Sequence, residues 1–108
     1  MPTYNKLVRD LIPQIIEKTG KQYKTRILDN PEYIEAMRTK LGEELQEYLE
    51  ADNDQDSLEE LADILELIHA LANTHGASID EVEEIRQQKA EKRGGFNDKI
   101  FLIEVEDD

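Results

Sequence analysis

The sequence predicts an all-α fold built on a helical hairpin, and three observations carry that reading. Two long stretches have apolar residues at helical spacing, a short acidic loop separates them, and capping residues mark their ends. The 108 residues are read as one domain, 1–108, with room for only a modest core. The hairpin is therefore expected to assemble into a four-helix-bundle-type core by oligomerisation, as a homodimer or homotetramer.

The elements follow in order. A first helix is predicted from Leu11 to Thr19, with Asp10 as N-cap, Pro13 in the first turn and Gly20 past the end. Residues 22–28 alternate and are rich in β-formers, so a short extended segment or strand is expected there. The second helix is capped by Asn30, with Pro31 at its first position. Ile34, Met37, Leu41, Leu45 and Tyr48 form its apolar stripe. Gly42 interrupts it, at about 1 kcal/mol relative to alanine, and would let a helix or ligand come close. The loop is Asp52 to Asp56, and Ser57-x-x-Glu60 reads as a capping box. The third helix runs to about His75, where Gly76 stops it. Leu58, Leu61, Ile64, Leu65, Ile68, Leu71 and Ala72 give it a wide face expected to be buried. A fourth helix opens on Ser78-x-x-Glu81, another capping box, and ends at Gly94-Gly95. Its apolar stripe, Val82 and Ile85, breaks at Lys89. Residues 99–105 are β-prone, expected to pair with 22–28 or with a partner subunit.

Charge narrows the function. The net charge is −13, which repels nucleic acid and anionic membrane as general partners. The absence of cysteine excludes disulfides and thiolate metal sites. No apolar run approaches a membrane span and Met1 to Asp10 have no apolar export core, so a cytoplasmic location is expected. Residues 32–66 hold thirteen acids and two bases, whereas residues 1–28 carry net +4 and residues 86–99 net +3. An acidic centre between basic segments suits a metal and a polyphosphate; blocks of solvated charge are the plainer explanation.

Four carboxylates focus the reading. In Glu44-x-x-Glu47 and Glu60-x-x-Asp63, each three-residue step keeps its two members on one side of a helix. Both pairs lie on the same flank of their apolar stripes, so they either face each other across the hairpin or both face outward. Facing pairs would repel unless a hard cation held them, and carboxylate oxygen suits Mg²⁺ or Mn²⁺. Glu43, Glu50, Glu59 and Glu66 project toward solvent. Either pair alone is weak, because Glu-x-x-Glu is common on solvated helices and Glu60 also fits the capping box.

Lys6 and Arg9 are three residues apart, as are Lys89 and Lys92, and Arg93 precedes two glycines. These five are the candidate phosphate ligands; Lys24 and Arg26 are weaker ones. Salt bridges and an ordinary helix stop are the structural alternatives. Phe96 offers a ring to stack on a base or to pack. His69 is expected to be partly buried and hydrogen-bonded, and His75 fits a helix C-terminus.

The run Lys40-Leu-Gly-Glu43-Glu44-Leu-Gln-Glu47-Tyr48, followed by Glu59-Glu60-Leu-Ala-Asp63, resembles the paired acidic motif of MazG-like nucleotide pyrophosphohydrolases. The opening Tyr4-Asn-Lys6-Leu-Val-Arg9-Asp10-Leu-Ile-Pro13 and the closing Lys89-x-x-Lys92-Arg93-Gly94-Gly95-Phe96 resemble the phosphoribosyl-ATP-pyrophosphohydrolase-like branch of that all-α superfamily. The resemblance implies Mg²⁺ held by Glu44, Glu47, Glu60 and Asp63. It also implies a nucleoside triphosphate substrate cleaved to monophosphate and pyrophosphate, in keeping with nucleotide-pool house-cleaning. Glu44 or Glu47 would accept the proton of the attacking water. Phosphoribosyl-ATP is the alternative substrate. A non-catalytic acidic helical interaction protein is the non-enzymatic reading.

Overall fold

The computed structural model describes residues 2–107, which form four helices and no strand. They are α1 (Ile12–Lys18), α2 (Asn30–Glu50), α3 (Asp54–Thr74) and α4 (Ile79–Arg93). α2 packs against α3 as an antiparallel hairpin, and α4 packs on α3. No helix among the described residues is long and apolar enough to cross a membrane.

All four caps differ from expectation. α1 begins at Ile12 after Leu11, and no side chain caps it, so Asp10 does not serve as its N-cap. Asp29 rather than Asn30 caps α2: its Oδ1 accepts from the Glu32 backbone N–H at 2.9 Å. Aspartate adds a charge favoured at a helix N-terminus, and Pro31 remains within the first turn. Asn53 caps α3, with Oδ1 accepting from the Asp56 N–H at 2.8 Å and Nδ2 donating to Asp56 Oδ2 at 2.9 Å. α3 thus starts one turn earlier than expected. Ser57 lies inside it, donating to the Asn53 carbonyl at 2.9 Å, and no Ser57–Glu60 box forms. Glu60 is consequently free of a capping role. Ser78 precedes α4 in extended conformation, but without the side-chain bond of a capping box. Gly94, at φ 81°, ends α4 in a backbone conformation that glycine adopts without strain.

The interior is small. Met37, Leu67 and Ala72 are buried, Met37 to 1% exposure. They occupy the end of the hairpin remote from its loop. Toward the loop, Leu45 and Tyr48 of the α2 stripe and Leu58, Leu61 and Leu65 of the α3 face are exposed instead of buried. α2 and α4 both pack on α3, yet its half nearer the loop stays open to solvent. Gly42 is likewise open, with nothing near the position a Cβ would take. Residues 22–28 and 99–105 carry no regular structure and do not pair with each other. The radius of gyration is 18.7 Å, against roughly 13 Å for a compact chain of this length.

Candidate metal centre

The hairpin brings Glu44 and Glu47 of α2 against Glu60 of α3. The two carboxylate pairs therefore face inward, the arrangement that the spacing alone left open. One carboxylate oxygen from each of the three residues lies within 4.8 Å of the others. Glu44 is the buried member, at 8% exposure; Glu60 is half-buried and Glu47 exposed. A cation in such a cluster would be held from the buried side by Glu44 and be reachable from the exposed side at Glu47.

Two oxygens in this cluster, Glu44 Oε2 and Glu60 Oε2, are buried and accept no hydrogen bond. An unpaired buried carboxylate oxygen costs free energy unless a proton or a cation meets it. The donor set is all oxygen, with neither nitrogen nor sulfur, which fits a hard divalent cation.

Protonation tells the same story. The Glu44 carboxyl is pushed up to about 7. Burial is the main cause; proton sharing with Glu60 and Glu47 and the charges of Glu47 and Asp63 add to it. Proton sharing with Glu44 works to lower Glu60, but burial, proton sharing with Glu47 and the charges of Glu47 and Asp63 outweigh it, so Glu60 too lies above the ordinary carboxylate value. Lys40 is a partner that the sequence reading assigned no role. Its Nζ is 3.8 Å from Glu44 Oε1, one helical turn away. The i,i+4 spacing was the available signal, although that contact is too loose to offset burial.

Asp63 stands apart from the three glutamates. Its Oδ1 accepts from Arg9 Nη2 at 2.6 Å, across 54 residues of sequence. Arg9 thus meets the rim of the acidic cluster, as the salt-bridge alternative anticipated. Lys6 has its Nζ 5.5 Å from the centroid of the Tyr4 ring. Among the described residues, no ion pair joins Lys6, Lys89, Lys92 or Arg93 to the acidic cluster. Lys89, Lys92 and Arg93 lie on α4, which packs on α3, and Phe96 is 98% exposed beyond it. Arg26 is engaged elsewhere, bidentate to Glu32 at 2.9 and 3.2 Å. His69 is exposed, in a shallow groove with Asp10, Tyr33 and Asn73, rather than partly buried.

The pattern of the phosphoribosyl-ATP pyrophosphohydrolase family matches residues 5–90, the stretch that contains all four helices up to the last turn of α4. The chain belongs to that family. It is a member of the MazG-like all-α nucleotide pyrophosphatase superfamily, and the acidic hairpin lies wholly within the matched residues. No curated protein and no solved structure matches the chain significantly.

Proposed function

We propose that this family member is a Mg²⁺-dependent pyrophosphohydrolase that cleaves a nucleoside triphosphate to a monophosphate and pyrophosphate, with Mn²⁺ able to replace Mg²⁺. The observation that carries this reading is the triad of converging carboxylates, two of whose oxygens are buried and unpaired.

In this reading Glu44, Glu47 and Glu60 hold the cation through oxygen, and Asp63 is the fourth ligand from the next turn of α3. The cation, when bound, neutralises phosphate oxygens and acidifies water. Glu44 or Glu47 takes the proton of the attacking water. Glu44, its carboxyl pushed up to about 7, would have to lose its proton to ligate a cation, so binding there would release a proton to solvent near neutral pH. Arg9, bonded to Asp63 at the rim of the cluster, would orient that carboxylate and offer its remaining N–H groups to a phosphate oxygen. Lys6, Lys89, Lys92 and Arg93 supply further positive charge for the outer phosphates, and Phe96 a surface for the base.

Family membership favours a second substrate, phosphoribosyl-ATP, which needs the same metal chemistry and a larger sugar–purine pocket. We also propose self-association into a dimer or tetramer. The apolar faces left open at Leu45, Tyr48, Leu58, Leu61 and Leu65 support it.

The test is pyrophosphate release with Mg²⁺ from a panel of nucleoside triphosphates and from phosphoribosyl-ATP, run beside Glu47→Gln. The expected result is release that chelator and the substitution both abolish; the preferred substrate separates the two readings. Release that survives Glu47→Gln and chelator unchanged would sink the metal-centre assignment. Absence of release together with absence of Mg²⁺ binding by calorimetry would favour a non-catalytic acidic interaction protein.

A further inference from the structure

Two segments distant in sequence share an unusual condition. Residues 21–28 and 99–107 have no helix or strand, and both expose large apolar side chains. Ile27 is 95% exposed, Phe101 88% and Ile103 83%. Among the described residues, no backbone hydrogen bond joins either segment to another part of the chain, apart from a local turn in which the Lys99 N–H donates to the Phe96 carbonyl at 3.4 Å. Unpaired backbone flanked by apolar side chains is a template for strand addition. The family match ends at residue 90, so family membership does not account for the arm.

The chain as a whole exposes 10082 Å². A compact monomer of 12.5 kDa exposes roughly 6,200 Å², leaving an excess on the order of 3,900 Å². Permanent assemblies bury on the order of 2,000–5,000 Å² summed over both partners, so two such chains carry more than enough excess surface for one.

We propose that the C-terminal arm of one copy, residues 99–107, adds as an antiparallel strand to residues 21–28 of a second copy. Charge sets the register. The arm ends in Glu104, Glu106 and Asp107, and the receiving segment carries Lys21 and Lys24, neither of which forms an ion pair among the described residues. Placing Lys24 opposite Glu104 also places Lys21 opposite Asp107. The same register sets Tyr23, Thr25 and Ile27 opposite Val105, Ile103 and Phe101, all on one face. A parallel strand with the same Lys24–Glu104 pair would set Ile27 against Asp107 and Lys21 against Phe101. The receiving segment is already anchored, because Arg26 grips Glu32 in the first turn of α2. Exchange by two copies is reciprocal, so the contact closes on itself. The inference rests on the self-association proposed above and not on the catalytic reading.

The chain has no cysteine, so paired cysteines report the contact cleanly. The full-length double variant Thr25→Cys/Ile103→Cys would be oxidised gently and its mass read under denaturing, non-reducing conditions, beside light scattering of the unmodified chain. The expected result is a covalent dimer. Thr25→Cys/Leu102→Cys, with the second cysteine on the opposite face, should cross-link several-fold less. Adding Lys24→Glu to the first pair should lower the yield, and adding Glu104→Lys as well should restore it. A disulfide at monomer mass means the arm folds back on its own chain and overturns the proposal. Free thiols in a chain that is nevertheless dimeric overturn it while leaving self-association standing. A monomer by light scattering overturns both.

Discussion

The two ends of the α2–α3 hairpin use the same helices and the same apolar spacing, yet they differ sharply. At the end remote from the loop, Met37, Leu67 and Ala72 are closed off from water. Nearer the loop, Leu45, Leu58, Leu61 and Leu65 are exposed, and two buried carboxylate oxygens lack partners. The difference teaches that periodicity determines which side of a helix is apolar, while burial depends on what is brought to that side. The packed end is satisfied within one chain. The open end keeps an apolar surface exposed beside the Glu44, Glu47 and Glu60 carboxylates, which is where we propose that a second copy and a cation meet the chain.

The largest effect should come from the packed end. Met37→Ala is expected to cost about 2–5 kcal/mol, measured by urea unfolding. Leu61→Ala would cost far less in a monomer, since Leu61 is already half in water. An equal loss for both would mean that the open end is covered in solution, and the loss should then grow weaker on dilution.

At the open end, Glu47→Gln should lower pyrophosphate release by roughly 100-fold or more while leaving the fold intact by circular dichroism. A reduction of only a few-fold would mean that the cluster is not the reaction centre.

Glu44→Gln should have a smaller and sign-changing effect. In the metal-free chain, the folded-state value of Glu44 lies above its ordinary one, at about 7. Its contribution to stability is therefore fully present at low pH and is lost as pH rises from the ordinary carboxylate value through about 7. In chelator, the substitution should raise the melting temperature at pH 8 by the equivalent of about 1 kcal/mol and leave it almost unchanged at pH 4. With Mg²⁺, it should remove most of the stabilisation that the metal gives the unmodified chain. A lower melting temperature for the variant at pH 8 in chelator would show that the three carboxylates do not repel.

The smallest effect is expected from Arg9→Ala. The Arg9–Asp63 pair is well exposed, so its loss should cost no more than about 1 kcal/mol. Substrate affinity should fall more than stability does, and a KM unchanged from the unmodified chain would confine Arg9 to a surface ion pair.

Much was legible in the chain itself. Apolar spacing and Gly76 and Gly94 located the helices, because period and backbone freedom are local properties. The caps were less legible: Asp29 stands beside Asn30, and Asn53 competes with Ser57, and all four residues are of types that can cap. The choice fell to whichever side chain reached a free N–H, a matter of backbone geometry. Matched flanks brought Glu44 and Glu60 into consideration together, but facing inward and facing outward are equivalent in a one-dimensional pattern.

The sequence by itself determined the helices, the all-oxygen character of the centre and the family to which the chain belongs. Only the tertiary structure decided that the carboxylates converge, that Glu44 is the buried one, and that Asp63 turns to an arginine 54 residues away. Spacing along a helix is written in its own residues; proximity across helices depends on packing that no single helix encodes.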